Sequence, residues 1–83
     1  MFYVYILQSL KTLRYYTGSC ENVPTRLHEH NTGQNKSTHS GIPWRLVRTE
    51  DFPTRSEAVR KEKAIKNRGA GRYLDGISKS PTG

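Results

Sequence analysis

Glu62 stands where a carboxylate needs a reason. A helix is expected over residues 55–67, and at about 100° per residue Ala58, Val59 and Ile65 define its apolar side, with Glu62 inside that arc. A carboxylate there is costly unless it is paired, hydrogen-bonded or bound to a metal. Arg26 and His30 are four apart on another expected helix and so are neighbours. Tyr3, Tyr5, Tyr15 and Tyr16 put four phenols into the first sixteen residues, more than a strand pair needs. A hard metal ion wants carboxylate oxygen, a phosphate wants a fixed guanidinium, and an attacking water needs a base. Together these residue types can hydrolyse a phosphodiester.

Taken singly, each has a plainer reading. Glu62 could be a structural ion-pair partner of Arg26 or Arg45, and Arg26 a solvated arginine. His30 could be a satisfied, half-buried histidine, and a tyrosine packs well on a half-buried sheet with its hydroxyl wet. The coincidence of all of them on elements that pack onto one small sheet favours chemistry.

The elements follow from local pattern. Tyr3–Leu7 and Tyr15–Ser19 read as a hairpin joined by the polar stretch Gln8–Leu13, with Gly18 ending the second run. Tyr3, Tyr5 and Leu7 share one face of the first strand, and Phe2, Val4 and Ile6 the other. Asn22 can cap a helix with Pro24 in its first turn, running to about Thr32 and stopped by Gly33. Val23, Leu27 and His30 lie on one side of it, Arg26 at the margin, and His28 points away. Gln34–Pro43 is a polar loop, and Trp44–Thr49 a third strand that should pair with the hairpin. Thr54 or Ser56 starts the second helix, Gly69 and Gly71 break it, and Arg72-Tyr73-Leu74 could add one more turn. The expected fold is α/β, more narrowly α+β: a small three-stranded, mainly antiparallel sheet flanked by helices in the order β-β-α-β-α. Residues 1–75 form one domain and 76–83 a flexible tail.

Composition bounds the class. A chain of 83 residues buries only about 60–65 % of its unfolded surface, so a large internal ligand cavity is not expected. Fourteen Lys and Arg against seven Asp and Glu give a net charge of +7, which favours a polyanionic partner. Ten of those cations fall in residues 41–83, densest from Arg60 to Arg72. Lys36, Lys61, Lys63, Lys66, Arg68 and Arg72 are the candidates for contact with a nucleic-acid backbone. The single Cys20 excludes an internal disulfide and fits a reducing compartment. The apolar N-terminus stops at Leu7 without a preceding basic region, so neither a signal peptide nor a spanning helix is expected, and the protein should be cytoplasmic. No helix has an apolar face suited to a membrane surface.

Tyr3-Val4-Tyr5, then Tyr16-Thr17-Gly18, then Arg26 and His30 on one helix, then Glu62, form an ordered set over residues 2–68 that resembles the GIY-YIG endonuclease superfamily. More narrowly, the chain resembles the small stand-alone bacterial proteins related to the nuclease domains of the excision-repair protein UvrC and of the structure-specific Slx-type enzymes. The resemblance implies a metal-dependent endonuclease acting on DNA in repair or processing. Tyr5 matches the last residue of the first motif, and Tyr16 and Gly18 the first and last of the second. Arg26 and His30 match the helix-borne basic residues, and Glu62 the single carboxylate for one Mg²⁺ or Mn²⁺. Tyr3 replaces the leading glycine of the first motif, Thr17 stands in the middle of the second, and Ser19 occupies a position where some relatives carry lysine. Tyr5, Tyr16 and His30 all remain candidates for handling the proton of the attacking water. The likeness to multidomain nucleases also suggests a protein partner that supplies specificity.

Two other readings compete. A non-catalytic basic protein could use the same aromatic and basic surface to bind nucleic acid. Zinc on Cys20, His28, His30 and His39 is disfavoured, because His28 and His30 diverge on their helix.

Overall fold

A computed structural model describes residues 1–78. Strand β1 (Phe2–Ser9) lies at the centre of a three-stranded antiparallel sheet, between β2 (Tyr15–Cys20) and β3 (Trp44–Phe52). Helix α1 (Val23–Asn31) follows β2, and a 3₁₀ turn (Lys36–Gly41) precedes β3. Helices α2 (Arg55–Arg68) and α3 (Ala70–Ser78) complete the described chain.

The central strand is apolar throughout because both of its faces are covered. On one face Val4 and Ile6 pack against Ala58 and Ile65 of α2, with Phe2, Val47, Phe52 and the α3 residues Tyr73 and Leu74 around them. Each fully buried aliphatic side chain of this kind contributes roughly 1.5–3 kcal/mol. On the other face Tyr5 and Leu7 meet Val23 of α1 and Trp44, bordered by Tyr3, Tyr16, Leu27 and Ile42. The expected alternation along β1 therefore holds, and each face receives its own helical layer.

Caps set the helices. Asn22 accepts from the Thr25 amide at the start of α1, Pro24 sits in its first turn, and Thr54 accepts from the Glu57 amide to open α2. Past the end of α1, Gly33 takes a φ of +81°, a left-handed conformation natural to glycine. The polar segment before β3 is more ordered than a plain loop. Asn31 grips the Trp44 backbone twice, accepting from its amide at 2.6 Å and donating to its carbonyl at 2.9 Å. Ser9 Oγ donates to the Gly41 carbonyl, and Trp44 Nε1 to that of Thr38. These bonds hold the 3₁₀ turn, and Thr38 with it, against α1.

Several boundaries differ from expectation. Gly18 lies inside β2, paired with Tyr5, because a strand tolerates glycine where another group must lie close. The first strand extends to Ser9, and the third to Phe52. Gly69 does end α2, with φ +93°, but Gly71 lies within α3. That helix runs through Ser78, past the expected boundary at residue 75, because Tyr73 and Leu74 pack on the sheet. The Tyr73 hydroxyl donates to Glu50, which also pairs with Arg48 and Lys61. The remainder of the expected tail, 79–83, lies outside the described residues.

Candidate active site at the edge of the sheet

Tyr5 reaches the site because Gly18 lets it. The two residues are paired across β1 and β2, and the phenol lies flat over the glycine. A Cβ on Gly18 would stand 2.5 Å from Tyr5 Oη and 2.6 Å from Cζ. The ring thereby crosses β2, an edge strand, and carries its hydroxyl toward the rim of the sheet.

His30 meets that hydroxyl from α1. Its Nε2 lies 3.1 Å from Tyr5 Oη and its Nδ1 2.7 Å from Thr38 Oγ1, and the imidazole is fully buried. A longer contact of 3.4 Å from Thr38 Oγ1 to the Asn35 carbonyl favours Thr38 as the acceptor of His30 Nδ1–H. We accordingly assign the tautomer with Nε2 bare, accepting from the Tyr5 hydroxyl. Burial, and then the nearby Arg26 charge, lower the His30 pKa, so the ring is neutral at pH 7. Burial, and next the neighbouring Tyr16, push the Tyr5 pKa far above its ordinary value, so this phenol holds its proton. Tyr16, partly buried on the same face, sets its ring 4.8 Å from that of His30 and 6.2 Å from that of Tyr5.

Glu62 arrives from the opposite face. Ser19 is paired with Val4, so its side chain points to the layer of α2, where its hydroxyl donates to Glu62 Oε1 at 2.7 Å. Lys66, one turn further along α2, donates to Oε2 at 2.7 Å. Burial raises the carboxyl pKa, but the bonds from Lys66 and Ser19, with Lys63 nearby, outweigh it, and Glu62 stays ionised below its usual range. The carboxylate therefore pairs with Ser19 and Lys66 instead of Arg26 or Arg45. Phenol and imidazole come from one side of β2, the carboxylate from the other. The edge strand β2 separates them, and the Glu62 charge adds only the smallest contribution to the raised Tyr5 pKa.

Arg26 stands at this edge on α1. Its guanidinium lies 3.4 Å from Glu29, with both side chains well exposed, a pair that contributes roughly 0–1 kcal/mol and is easily given up for a phosphate. The remaining basic residues divide. Lys36 lines an outer cavity with Arg26 and Glu29, and Lys63 and Lys66 surround Glu62. Lys61 turns away, toward Glu50 and over the Tyr73 ring, and Arg68 lines a cleft between α2 and α3. Arg72 is exposed on α3. Tyr3 packs beside Leu27, and Tyr15 sits on the α3 side next to Gly71.

Three contributors escaped the sequence reading. Thr38 belongs to a polar stretch with no local sign of order, and Ser19 stands where some relatives carry lysine. Arg55 lines a cavity with Arg26 and Ser19. Its signal was present, since residues 55 and 62 are seven apart and share one face of α2.

The three-stranded antiparallel sheet with a helix on each face makes this a small α+β domain. The family model described as the GIY-YIG catalytic domain matches residues 1–73, and the chain belongs to the GIY-YIG nuclease family. It is 40 % identical over 82 residues to a UPF0213 protein of Syntrophus aciditrophicus, covering 95 % of this chain and 92 % of that one. A UPF0213 protein of Halobacterium salinarum is 40 % identical over 67 residues, covering 80 % and 86 %. The solution NMR structure of a UPF0213 protein from Bacillus halodurans superposes with a TM-score of 0.57 at 33 % identity, covering 99 % of this chain and 88 % of that chain.

Among the described residues, no three His, Cys, Asp or Glu side chains converge to hold a metal ion, so the zinc alternative has no geometric basis there. None of the described helices is long and apolar enough to cross a membrane.

Proposed function

We propose that this protein is a divalent-metal-dependent endonuclease that hydrolyses DNA phosphodiester bonds in cytoplasmic DNA repair or processing. The observation that supports this most is the Tyr5–His30 hydrogen bond beside an ionised Glu62 at one sheet edge.

Glu62 fits one hard cation. It is ionised and partly exposed, and the half-exposed Lys66 ammonium would have to swing off Oε2 to admit the ion. Mg²⁺ or Mn²⁺ suits a single carboxylate, because such ions commonly keep several waters in their shell. When bound, the ion would polarise the scissile phosphate and stabilise the leaving 3′ oxygen.

The chain's own residues supply the rest. Arg26 neutralises the charge that builds on the phosphate, a contribution typically worth about 3–4 kcal/mol of barrier. Tyr5 is too poor an acid to work as a preformed phenolate. It acts as a relay, its Oη taking the proton of the attacking water while its own proton passes to His30 Nε2. Thr38 keeps Nε2 free to receive it, and Tyr16 packs the imidazole in place. Lys36, Lys63 and Lys66 attract the DNA backbone near the site, while Lys61, Arg68 and Arg72 extend the basic surface over α2 and α3. A protein partner would supply specificity that so small a surface lacks.

The test is a digestion panel of single-stranded, duplex and branched DNA with Mg²⁺, Mn²⁺ or EDTA. Products that appear only with metal support the reading. DNA binding indifferent to EDTA, with no product on any substrate, favours the non-catalytic alternative.

A further inference from the structure

Arg26 is not the only arginine at the site. A cavity of about 120 Å³ at the outer edge of β2 is lined by Arg26 from α1, Arg55 from α2, Phe2, Ser19 and Cys20, with Glu21 at its exposed rim. The space is large enough to admit a phosphate group. Two guanidiniums against one rim carboxylate leave the cavity positive. The Arg55 Cζ lies 5.4 Å from the centroid of the Phe2 ring, within cation–π range, and Phe2 lines the same cavity. Ser19, which lines the same cavity, also holds Glu62, so the cavity adjoins the carboxylate.

We propose that Arg55 is a second phosphate-binding residue, which closes with Arg26 on one DNA backbone phosphate beside Glu62. Arginine is suited to this work because its planar fork can grip two phosphate oxygens at once. Held from both sides, the phosphate is fixed in orientation as well as attracted. The proposal rests on the nuclease reading of the same edge, but its phosphate-binding claim can be tested without turnover.

Cys20, the single cysteine of the chain, lines the cavity and reports on its occupancy. Alkylation by iodoacetamide should be followed with inorganic phosphate and with chloride at matched ionic strength, at alkaline pH because burial raises the thiol pKa. Phosphate should slow alkylation of the wild type and of Arg60→Ala, but not of Arg55→Ala or Arg26→Ala. Arg60 is exposed elsewhere on α2 and controls for loss of one charge. On a short duplex, Arg55→Ala should bind about tenfold more weakly than Arg60→Ala. The slope of its log affinity against log salt should also be shallower than wild type by about 0.9. Arg55→Lys should recover only part of the protection. If phosphate leaves wild-type Cys20 unprotected, or protects Arg55→Ala equally, the subsite does not exist, whatever becomes of catalysis. Conversely, protection that needs Arg55 in a protein that cuts no DNA keeps the phosphate site and removes the nuclease reading.

Discussion

The Tyr5 hydroxyl lies 3.1 Å from Nε2 of His30, and both side chains are almost wholly shielded from solvent. Burial has opposite effects on the partners: it makes the phenol a weaker acid and keeps the imidazole neutral. Neither is a strong base alone, and the relay proposed above needs them in series, with the proton ending on a buried nitrogen. Tyr5→Phe removes the relay and strands Nε2. Cleavage should fall by about 10²–10⁴-fold, and stability by about 1–3 kcal/mol for the unsatisfied buried group. Nicking kinetics and urea unfolding measure the two effects, while fluorescence anisotropy should show unchanged DNA affinity.

Gly18→Ala tests the path of the phenol. The added methyl would stand 2.5 Å from Tyr5 Oη, so the ring must move and its bond to His30 must lengthen or break. Overpacking of this kind costs about 1–3 kcal/mol. Cleavage should fall nearly as far as in Tyr5→Phe, and the double variant should be little worse than either alone. Fully additive losses would mean that Gly18 does not act through Tyr5.

Acid should weaken the fold in two stages. The His30 pKa is lower in the folded protein than its ordinary 6.5. The unfolded chain therefore binds this proton first, and stability declines as pH falls below about 6.5 until the folded pKa is passed. Glu50 and Glu62 are also lowered, so their ionised forms add stability above the ordinary carboxylate range, and it is lost as pH falls through their folded values. Urea midpoints measured from pH 8 to 3 should decline in both windows. Replacing His30 with Asn should remove the upper decline alone.

Ser19→Ala should raise the Glu62 pKa, since the hydroxyl bond to Oε1 helps hold the carboxyl low. Carboxyl-carbon NMR titration reads this directly. The same variant should need more Mg²⁺ for half-maximal cleavage, because Oε1 is no longer held in place. An unmoved titration would remove Ser19 from the account.

Much of the frame was legible because it rests on local rules. Alternation placed Tyr5 and Val4 on opposite faces of β1, Asn22 announced its helix as a cap, Thr54 or Ser56 marked the next, and the helical wheel singled out Glu62. What escaped depended on distant contacts. Nothing near Glu62 in sequence points to Ser19, forty-three residues earlier. Gly18 looked like a strand end because its use is to admit a ring from the neighbouring strand. Thr38 sits in a polar stretch whose order comes from Asn31, Trp44 and Ser9. Helix α3 carries Gly71 and Gly76, and its length comes from packing more than from propensity. That a site could wrap around β2 required knowing that β2 is an edge.

Glu62→Ala tests the central claim most directly. Wild type and variant should be incubated side by side with the preferred DNA substrate in Mg²⁺ and in Mn²⁺, with binding measured on the same preparations. The variant is expected to bind DNA as the wild type does and to form no product with either ion. Undiminished nicking by a folded Glu62→Ala protein, free of contaminating nuclease, would contradict the account.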